Sequence, residues 1–360
     1  MKDDTAPKYV LVEKHIKQAI KNRTITDRLP GERTLAEELG FSYMTIRKAI
    51  ENLVGEGILY KVPTKGTFVA DGKTKKPKDS KKTIGYFLDS SIKSGISSPY
   101  YSLVFNEIEK TASKCGYSTV YFSEVSDENL PVILSRVDGV IATCLPRLES
   151  TIQRIKKHVP LVVLDNSSVD KSIPSVIIDN FNADLESVNY VYSLGHRRIG
   201  FVMGLEDSDV GKNRFAGYRQ GLNQNGIGFD EKLVFRGNYS YESGEAGADY
   251  FARLAAPPTV IICANDSMAM GAMRSLHQHG IRVPDDMSIV GFDDIEVASQ
   301  ITPALTTVVA PIEKIATTAS EMLCQLMDGK QPVSSHVALP ANLIIRQTCA
   351  RRNQSRHAAA

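Results

Sequence analysis

Residues 260–294 read VIICANDSMAMGAMRSLHQHGIRVPDDMSIVGFDD. Val260–Cys263 is a short apolar, β-branched run, and Ser267–His279 carries apolar residues at helical spacing before Gly280. Ser288–Gly291 is a second apolar run. A strand, an amphipathic helix and another strand make a unit whose strands lie parallel, because a crossover that long can carry the chain back to the same sheet edge. Each run ends in polar residues, Asn265 and Asp266 after the first, Asp293 and Asp294 after the second. Asp266 is expected to cap the helix that follows it. In open α/β sheets the carboxyl edge of the strands is where ligands bind.

The same alternation extends in both directions from residue 83. Ile84–Leu88, Ser118–Phe122, Gly139–Ala142, Leu161–Leu164, Ser175–Ile178 and Arg198–Met203 are further β-type runs, and Leu103–Cys115 and Asn182–Leu194 are helical patterns. This predicts doubly wound parallel sheets with helices on both faces, an α/β class of fold. Residues 83–350 are too many for one such sheet, so two similar lobes are expected, although no internal sequence repeat marks them. Asp89 and Asp165 also follow strands. With Asn265 and Asp293 they make four polar strand ends, which two lobes would gather in one cleft. A lone Asp after a strand is more often a turn former or a helix cap. Four together suit the hydroxyls of a polyol.

Residues 8–70 follow another pattern. Val10–Asn22 is amphipathic, and Leu29-Pro-Gly-Glu-Arg33 is a turn. Thr34 and Glu37 have the spacing of a capping box for a short helix that ends at Gly40. Ser42 caps a third helix whose apolar stripe is Ile46, Ile50, Leu53 and Val54, leaving Thr45, Arg47, Lys48 and Glu51 outside. Ile58–Val62 and Thr67–Ala70 form a hairpin with Lys65 and Gly66 at its tip. Three helices, a tight turn between the last two, and a hairpin make a winged helix-turn-helix, which places its third helix in the major groove of DNA. A protein-contact module could share this periodicity.

Composition sets the limits on function. The chain has 360 residues, 42% hydrophobic and 23% charged, which is the make-up of a globular protein. Residues 1–82 carry a formal charge of +7 and the remainder −5, so a basic head precedes a mildly acidic body. Without Lys73–Lys82, read as a charged tether within a linker over residues 72–82, the head falls to +2. Charge alone therefore does not prove a polyanionic partner. The apolar runs are far shorter than the ~18 residues of a membrane span. The N-terminus has no signal pattern, and five scattered cysteines form no CxxC pair, so a cytoplasmic location is expected. Gly66-TFVAD-Gly72-Lys-Thr misses the Walker A spacing, and there is no GxSxG elbow or GxGxxG fingerprint. Catalytic residues, metal sites and cofactors are accordingly expected to be absent. His196 in GHRR is expected to be structural, and His277 and His279 lack the company a metal needs.

The stretch LPGERTLAEELGFSYMTIRKAIENLVGEGILYKVPTKGTFVA resembles the DNA-binding domain of the GntR family of bacterial transcription regulators. The resemblance implies that Arg33, Thr45, Arg47 and Gly66 touch DNA. Ser42, Tyr43, Lys48 and Lys65 lie beside them and complete the expected surface. Tyr43 stands where that family usually has Arg, and it cannot make the bidentate guanine contact. Residues 83–349 resemble the effector-binding body of the LacI family, through LGHRRIGFVMG, NRFAGYRQGL, residues 264–294 and TPALTTV. That resemblance implies a two-lobed fold like that of periplasmic sugar-binding proteins. It also implies effector contacts at Tyr100, Tyr101, Arg214, Asn265 and Asp293, with looser matches at Asp165 and Tyr239. On the residues alone, Tyr100 and Tyr101 could be core aromatics and Arg214 a surface ion pair. The combined expectation is a winged head over residues 1–71, a body over 83–350 and a disordered tail over 351–360. Such a chain would be a homodimeric regulator of double-stranded operator DNA, most simply a repressor released by a small neutral sugar. A periplasmic-type sugar carrier and an α/β enzyme are the rival classes, and sugar-dependent activation the rival sign of control.

Overall fold

A computed structural model of the chain describes residues 7–22, 24–62, 66–69, 82–90, 92, 95–143 and 146–352. The chain divides into two units, residues 1–80 and 81–360.

The head contains α1 (Lys8–Lys21), α2 (Glu32–Leu39), α3 (Tyr43–Gly55) and an antiparallel pair, β1 (Leu59–Val62) and β2 (Gly66–Val69). Its core gathers Val12 and Ile16 of α1, Leu35 of α2, and Ile46, Ala49, Ile50 and Leu53 of α3 around Leu59 and Val69. Gly40 is left-handed at the end of α2 (φ +68°), a backbone state that glycine adopts without a Cβ penalty. The capping box expected at Thr34 does not form. α2 begins three residues earlier behind Gly31, and Glu32 in its first turn accepts from Lys61 of β1 at 2.8 Å. Ser42 does cap α3, accepting from the Thr45 N–H at 3.2 Å. The segment before α2 joins the hairpin through Leu29, whose N–H donates to the Thr67 carbonyl. Lys65, expected at the hairpin tip, lies outside the described residues.

The first lobe of the body comprises β3 (Lys82–Leu88), α4 (Pro99–Lys114), β4 (Tyr117–Phe122), α5 (Leu130–Arg136), β5 (Gly139–Thr143), α6 (Glu149–Lys156), β6 (Leu161–Leu164) and β7 (Ser175–Ile178). The second begins with α7 (Asn180–Ser193), β8 (Ile199–Met203), α8 (Asp209–Gln224), β9 (Val234–Arg236) and α9 (Tyr241–Ala252). It continues through β10 (Val260–Cys263), α10 (Asp266–Gln278), β11 (Ser288–Asp293), α11 (Glu296–Gln300) and β12 (Thr306–Val309). The chain then supplies α12 (Ile312–Met327), β13 (His336–Leu339) and β14 (Asn342–Ile344).

The sheet orders are β13-β7-β6-β5-β3-β4 and β14-β12-β11-β10-β8-β9. Numbered within its own lobe, each sheet runs 6-5-4-3-1-2, so the two lobes repeat one doubly wound topology without an evident sequence repeat. The strands are parallel apart from β14, which runs antiparallel to β12. On β3, Ile84, Tyr86 and Leu88 enter one core, with α4 and α12, while Phe87 enters another on the opposite face. This is the two-sided burial expected of a parallel strand. The chain passes between lobes three times: from β7 into α7, which packs on α8; from β12 into α12, which packs on α4; and from β13 into β14.

Two expected boundaries differ. Lys82, read as part of the tether, opens β3 in register with Tyr117, and its ammonium lies 5.0 Å from that ring's centroid. Arg352, read as tail, donates its backbone N–H to Leu194 at 2.8 Å. Among the described residues no helix is long and apolar enough to cross a membrane.

Candidate functional site

The topology fixes where a ligand site must fall. Each lobe reverses its strand order between its first and third strands, β3/β5 and β8/β10, and the segments that follow β3, β6, β8 and β10 open on one cavity. All seven candidate body residues line it: Tyr100, Tyr101 and Asp165 from the first lobe, and Arg214, Tyr239, Asn265 and Asp293 from the second.

Tyr100 and Tyr101 lie in the first turn of α4, behind Pro99, with ring centroids 5.0 Å apart and nearly perpendicular. The Tyr100 hydroxyl donates to Asp165 Oδ1 at 2.9 Å. Asp165 follows β6 in a left-handed conformation (φ +64°), and its Oδ2 is buried with no hydrogen-bond partner. Burial pushes the Asp165 carboxyl up to about 6, against the opposing pull of the Tyr100 hydrogen bond and the Arg214 charge.

Arg214 projects from α8 and is 4% exposed, so it is no surface ion-pairing residue. Its Nε donates to Asn180 Oδ1 at 2.8 Å and a terminal nitrogen donates to the Ala264 carbonyl. Its guanidinium carbon lies 3.4 Å from the centroid of the Phe292 ring. The other terminal nitrogen is 3.9 Å from Asp293. Asp293 ends β11 at φ +115°, and burial raises its carboxyl well above the ordinary range, with Asp266 and Asp165 adding to the rise and Arg214 opposing it. Arg214 is therefore a fixed donor held by the protein, with one edge toward Asp293.

Asn265 caps α10, its Oδ1 accepting from the Met268 N–H at 2.9 Å while its Nδ2 donates to the Tyr239 carbonyl at 3.1 Å. The cap expected at Asp266 thus belongs to its neighbour. Asp266 is instead fully buried, accepting from Thr307 at 2.5 Å and from the Ile295 N–H at 3.0 Å. Gly291 leaves the space for it, since a Cβ there would come within 2.2 Å of Asp266 Oδ1. Tyr239 (φ +67°) lays its ring over Gly204, where an added Cβ would meet ring carbons at 2.1–2.3 Å.

Asp89, the fourth expected strand end, does not line this cavity. It lies 3.6 Å from Arg147, which also reaches Asp207 of the second lobe at 3.2 Å. Three cavity-lining amides, Asn166, Asn180 and Asn238, were not foreseen. Asn180 was within reach of the strand-end rule, because it stands two residues after β7. Asp184 gave no such signal, as it sits inside α7. It is buried with Oδ2 unpartnered, and burial pushes it up to about 7, opposed by Arg214. His196 is structural: its ring nitrogens meet Thr259 at 2.8 Å and the Ala350 carbonyl at 3.1 Å. Among the described residues no cluster of three metal-binding side chains occurs.

In the head, Arg33, Tyr43, Arg47 and Lys48 are exposed on α2 and α3. Arg47 is paired with Glu51 at 3.1 Å, and Lys48 lies 5.2 Å from the Tyr9 ring centroid. Ser42 and Thr45 bond each other at 2.8 Å. Gly66 has φ +116°, which favours glycine, and an added Cβ would come within 3.1 Å of the Arg28 guanidinium. Arg28, exposed beside Gly66, is a further basic residue at the wing that carried no motif in the sequence.

A helix-turn-helix head joined to a two-lobed, doubly wound body with a cavity between the lobes defines a ligand-responsive class of DNA-binding regulators. Residues 8–69 match the gntR family of bacterial regulatory proteins, and residues 188–349 match the periplasmic binding protein-like domain. The chain is 32% identical to the HTH-type transcriptional repressor CytR of Escherichia coli over 70% of its own length and 76% of that protein. It is 31% identical to the probable HTH-type transcriptional repressor ExuR of Bacillus subtilis over 75% of this chain and 81% of the other. Among solved structures, a LacI-family regulator from Enterococcus faecium with bound ribose is 26% identical, covering 76% of this chain and 100% of that one (TM-score 0.69). The lac repressor dimer bound to operator is 27% identical, covering 76% of this chain and 96% of that one (TM-score 0.66). The chain belongs to the LacI-type family of transcriptional repressors and carries a gntR-type head. It is a DNA-binding repressor and not an enzyme.

Proposed function

We propose that the cavity binds a small neutral sugar, and that sugar binding releases a homodimer of this protein from its operator in the cytoplasm. In this reading residues 83–350 form the effector-binding and dimerisation body. The observation that carries it is Asp165, a cavity-lining residue whose carboxylate keeps one buried oxygen, Oδ2, without a protein donor. A buried acceptor left unpaired costs about 1–3 kcal/mol, which a ligand hydroxyl recovers. Asp293 and Arg214 supply an acceptor and a donor opposite, and Tyr100 and Tyr101 offer apolar ring area for C–H edges. The lining argues against an anionic ligand: its one guanidinium, Arg214, is accompanied by two buried carboxyls, Asp165 and Asp293. The ribose-bound and operator-bound dimer relatives support the sugar and the dimer. For DNA the reading assigns Arg33, Tyr43, Arg47 and Lys48 to the contact face, with Ser42 and Thr45 ordering the helix start and Gly66 and Lys65 at the wing.

A thermal-shift panel of neutral pentoses, hexoses, disaccharides and their phosphates tests this. A sugar at 100 times its dissociation constant should stabilise the body by about 2.7 kcal/mol. A response confined to the phosphates would refute the proposed ligand class.

A further inference from the structure

The first turn of α3 exposes two large side chains, Tyr43 and Met44, of which the methionine is wholly apolar. Met44 is 69% exposed, whereas the apolar stripe of the same helix, Ile46, Ala49, Ile50 and Leu53, is buried. Its neighbours have protein partners. The Tyr43 hydroxyl interacts with the Glu32 carboxylate of α2. The Thr45 hydroxyl bonds Ser42. Arg47, one turn further on, is held by Glu51.

In a helix-turn-helix the N-terminal residues of this second helix meet the base edges of the major groove. A methionine there has no hydrogen to donate, and its thioether accepts only weakly. Guanine, adenine and cytosine present N–H donors or N and O acceptors in that groove, while thymine alone adds a methyl group. We propose that Met44 is a specificity-determining residue that reads a thymine methyl group in each operator half-site. Met44 and Arg47 are three residues apart on one helix face, about 5–6 Å between Cβ atoms. The thymine therefore lies within about two base pairs of the Arg47 contact, at a rise of about 3.4 Å per base pair. This inference rests on the DNA-binding function of the head and is independent of the effector.

The test selects operators from a random duplex library with the full-length protein. Each thymine of the selected site is then replaced by deoxyuridine, which removes the methyl group and keeps the pairing. The parent should lose about fourfold in affinity per half-site at one thymine position, the value of burying one methyl group. Met44→Ala should bind the unmodified operator as the parent binds the uracil form, and should not respond to uracil at that position. The proposal is overturned if Met44→Ala retains the parent's sensitivity to uracil. It is also overturned if Met44→Ala weakens selected and unrelated duplexes alike, which marks a backbone contact. Failure of the parent to select any sequence would instead remove the DNA-reading role of the whole head, a distinguishable result.

Discussion

The Tyr100 hydroxyl donates to Asp165 Oδ1 across 2.9 Å, while Oδ2 of the same buried carboxylate has no partner. A sugar hydroxyl donating to that oxygen would favour the ionised carboxylate. Because burial holds this group up to about 6, ligand binding should release a proton as pH falls toward that value. Effector affinity should be about tenfold weaker at pH 5 than at pH 7 by this linkage. Asp293 and Arg214 line the same cavity and Asp184 interacts with Arg214, so the control is Asp165→Asn, which should flatten the step. Calorimetric titration at both pH values measures it. An equal affinity at pH 5 and 7 would show that the ligand does not use Asp165 as an ionised acceptor.

Asp184 concerns stability rather than binding. Its carboxyl rises from an ordinary 3.8 in the unfolded chain to about 7 when buried. For a raised acid, the folded state binds the proton more tightly. The contribution is therefore fully present below pH 4 and is lost as pH rises through 7. Asp184→Asn removes the charged form, so it should raise the unfolding temperature by several degrees at pH 8 and leave it unchanged near pH 4. Thermal melts across this range decide the matter. A lower unfolding temperature at pH 8 would mean that the ionised group is stabilised by Arg214 more than burial opposes it.

The lobes are tied at the cavity mouth by unequal contacts. Asp209, in the first turn of α8, accepts from the Ser167 N–H at 3.2 Å and from its hydroxyl at 2.9 Å. Arg147 meets Asp207 at 3.2 Å, but both side chains are about half exposed. Exposed ion pairs contribute about 0–1 kcal/mol, whereas hydrogen bonds to a charged, partly buried group contribute about 1.5–3. Asp209→Ala should weaken effector binding about tenfold, and Arg147→Ala by no more than about threefold. Isothermal titration with the sugar found in the thermal panel compares them. The reverse ranking would place the closing energy in the ion pair.

How much of this was legible in the sequence depended on whether a signal was local. The helix-turn-helix was, because Gly40, Ser42 and the Ile46–Ile50–Leu53 stripe act within a few residues of themselves. The cap of α2 was not: Thr34 and Glu37 have capping-box spacing, yet Lys61 of β1 holds Glu32 and the helix starts behind Gly31. Central strands announced themselves by continuous apolar runs. The edge strands β9, β13 and β14 did not, because each has three or four residues and exposed positions among them. β12 was masked by its two threonines, both buried. Polar residues after strands pointed to Asp165, Asn265 and Asp293. The same rule brought in Asp89, which pairs with Arg147 instead. It had no purchase on Asp184, whose importance comes from α7 packing beside Arg214.

In the head, Arg47 is exposed and pairs with Glu51 on its own helix. Arg47→Ala should reduce affinity for the selected operator by about 1–3 kcal/mol relative to a mismatched site, with sugar affinity unchanged. Gel-shift titration at fixed salt measures both duplexes. Equal weakening on every sequence would assign Arg47 to the phosphate backbone, and no weakening would remove it from the interface.

The central claim is that the sugar in the inter-lobe cavity and the operator on the head are linked. Asp293 is the residue to change, since Asp293→Asn keeps the shape and replaces an acceptor carboxyl with an amide. Operator affinity should be titrated against the sugar found in the thermal panel, for the parent and for Asp293→Asn. In the parent, saturating sugar should lower operator affinity by about 5–150-fold, the usual size of an allosteric coupling. Asp293→Asn should bind operator as tightly as the parent and hold it at the sugar concentration that releases the parent. Release of Asp293→Asn at the same sugar concentration as the parent would contradict the account.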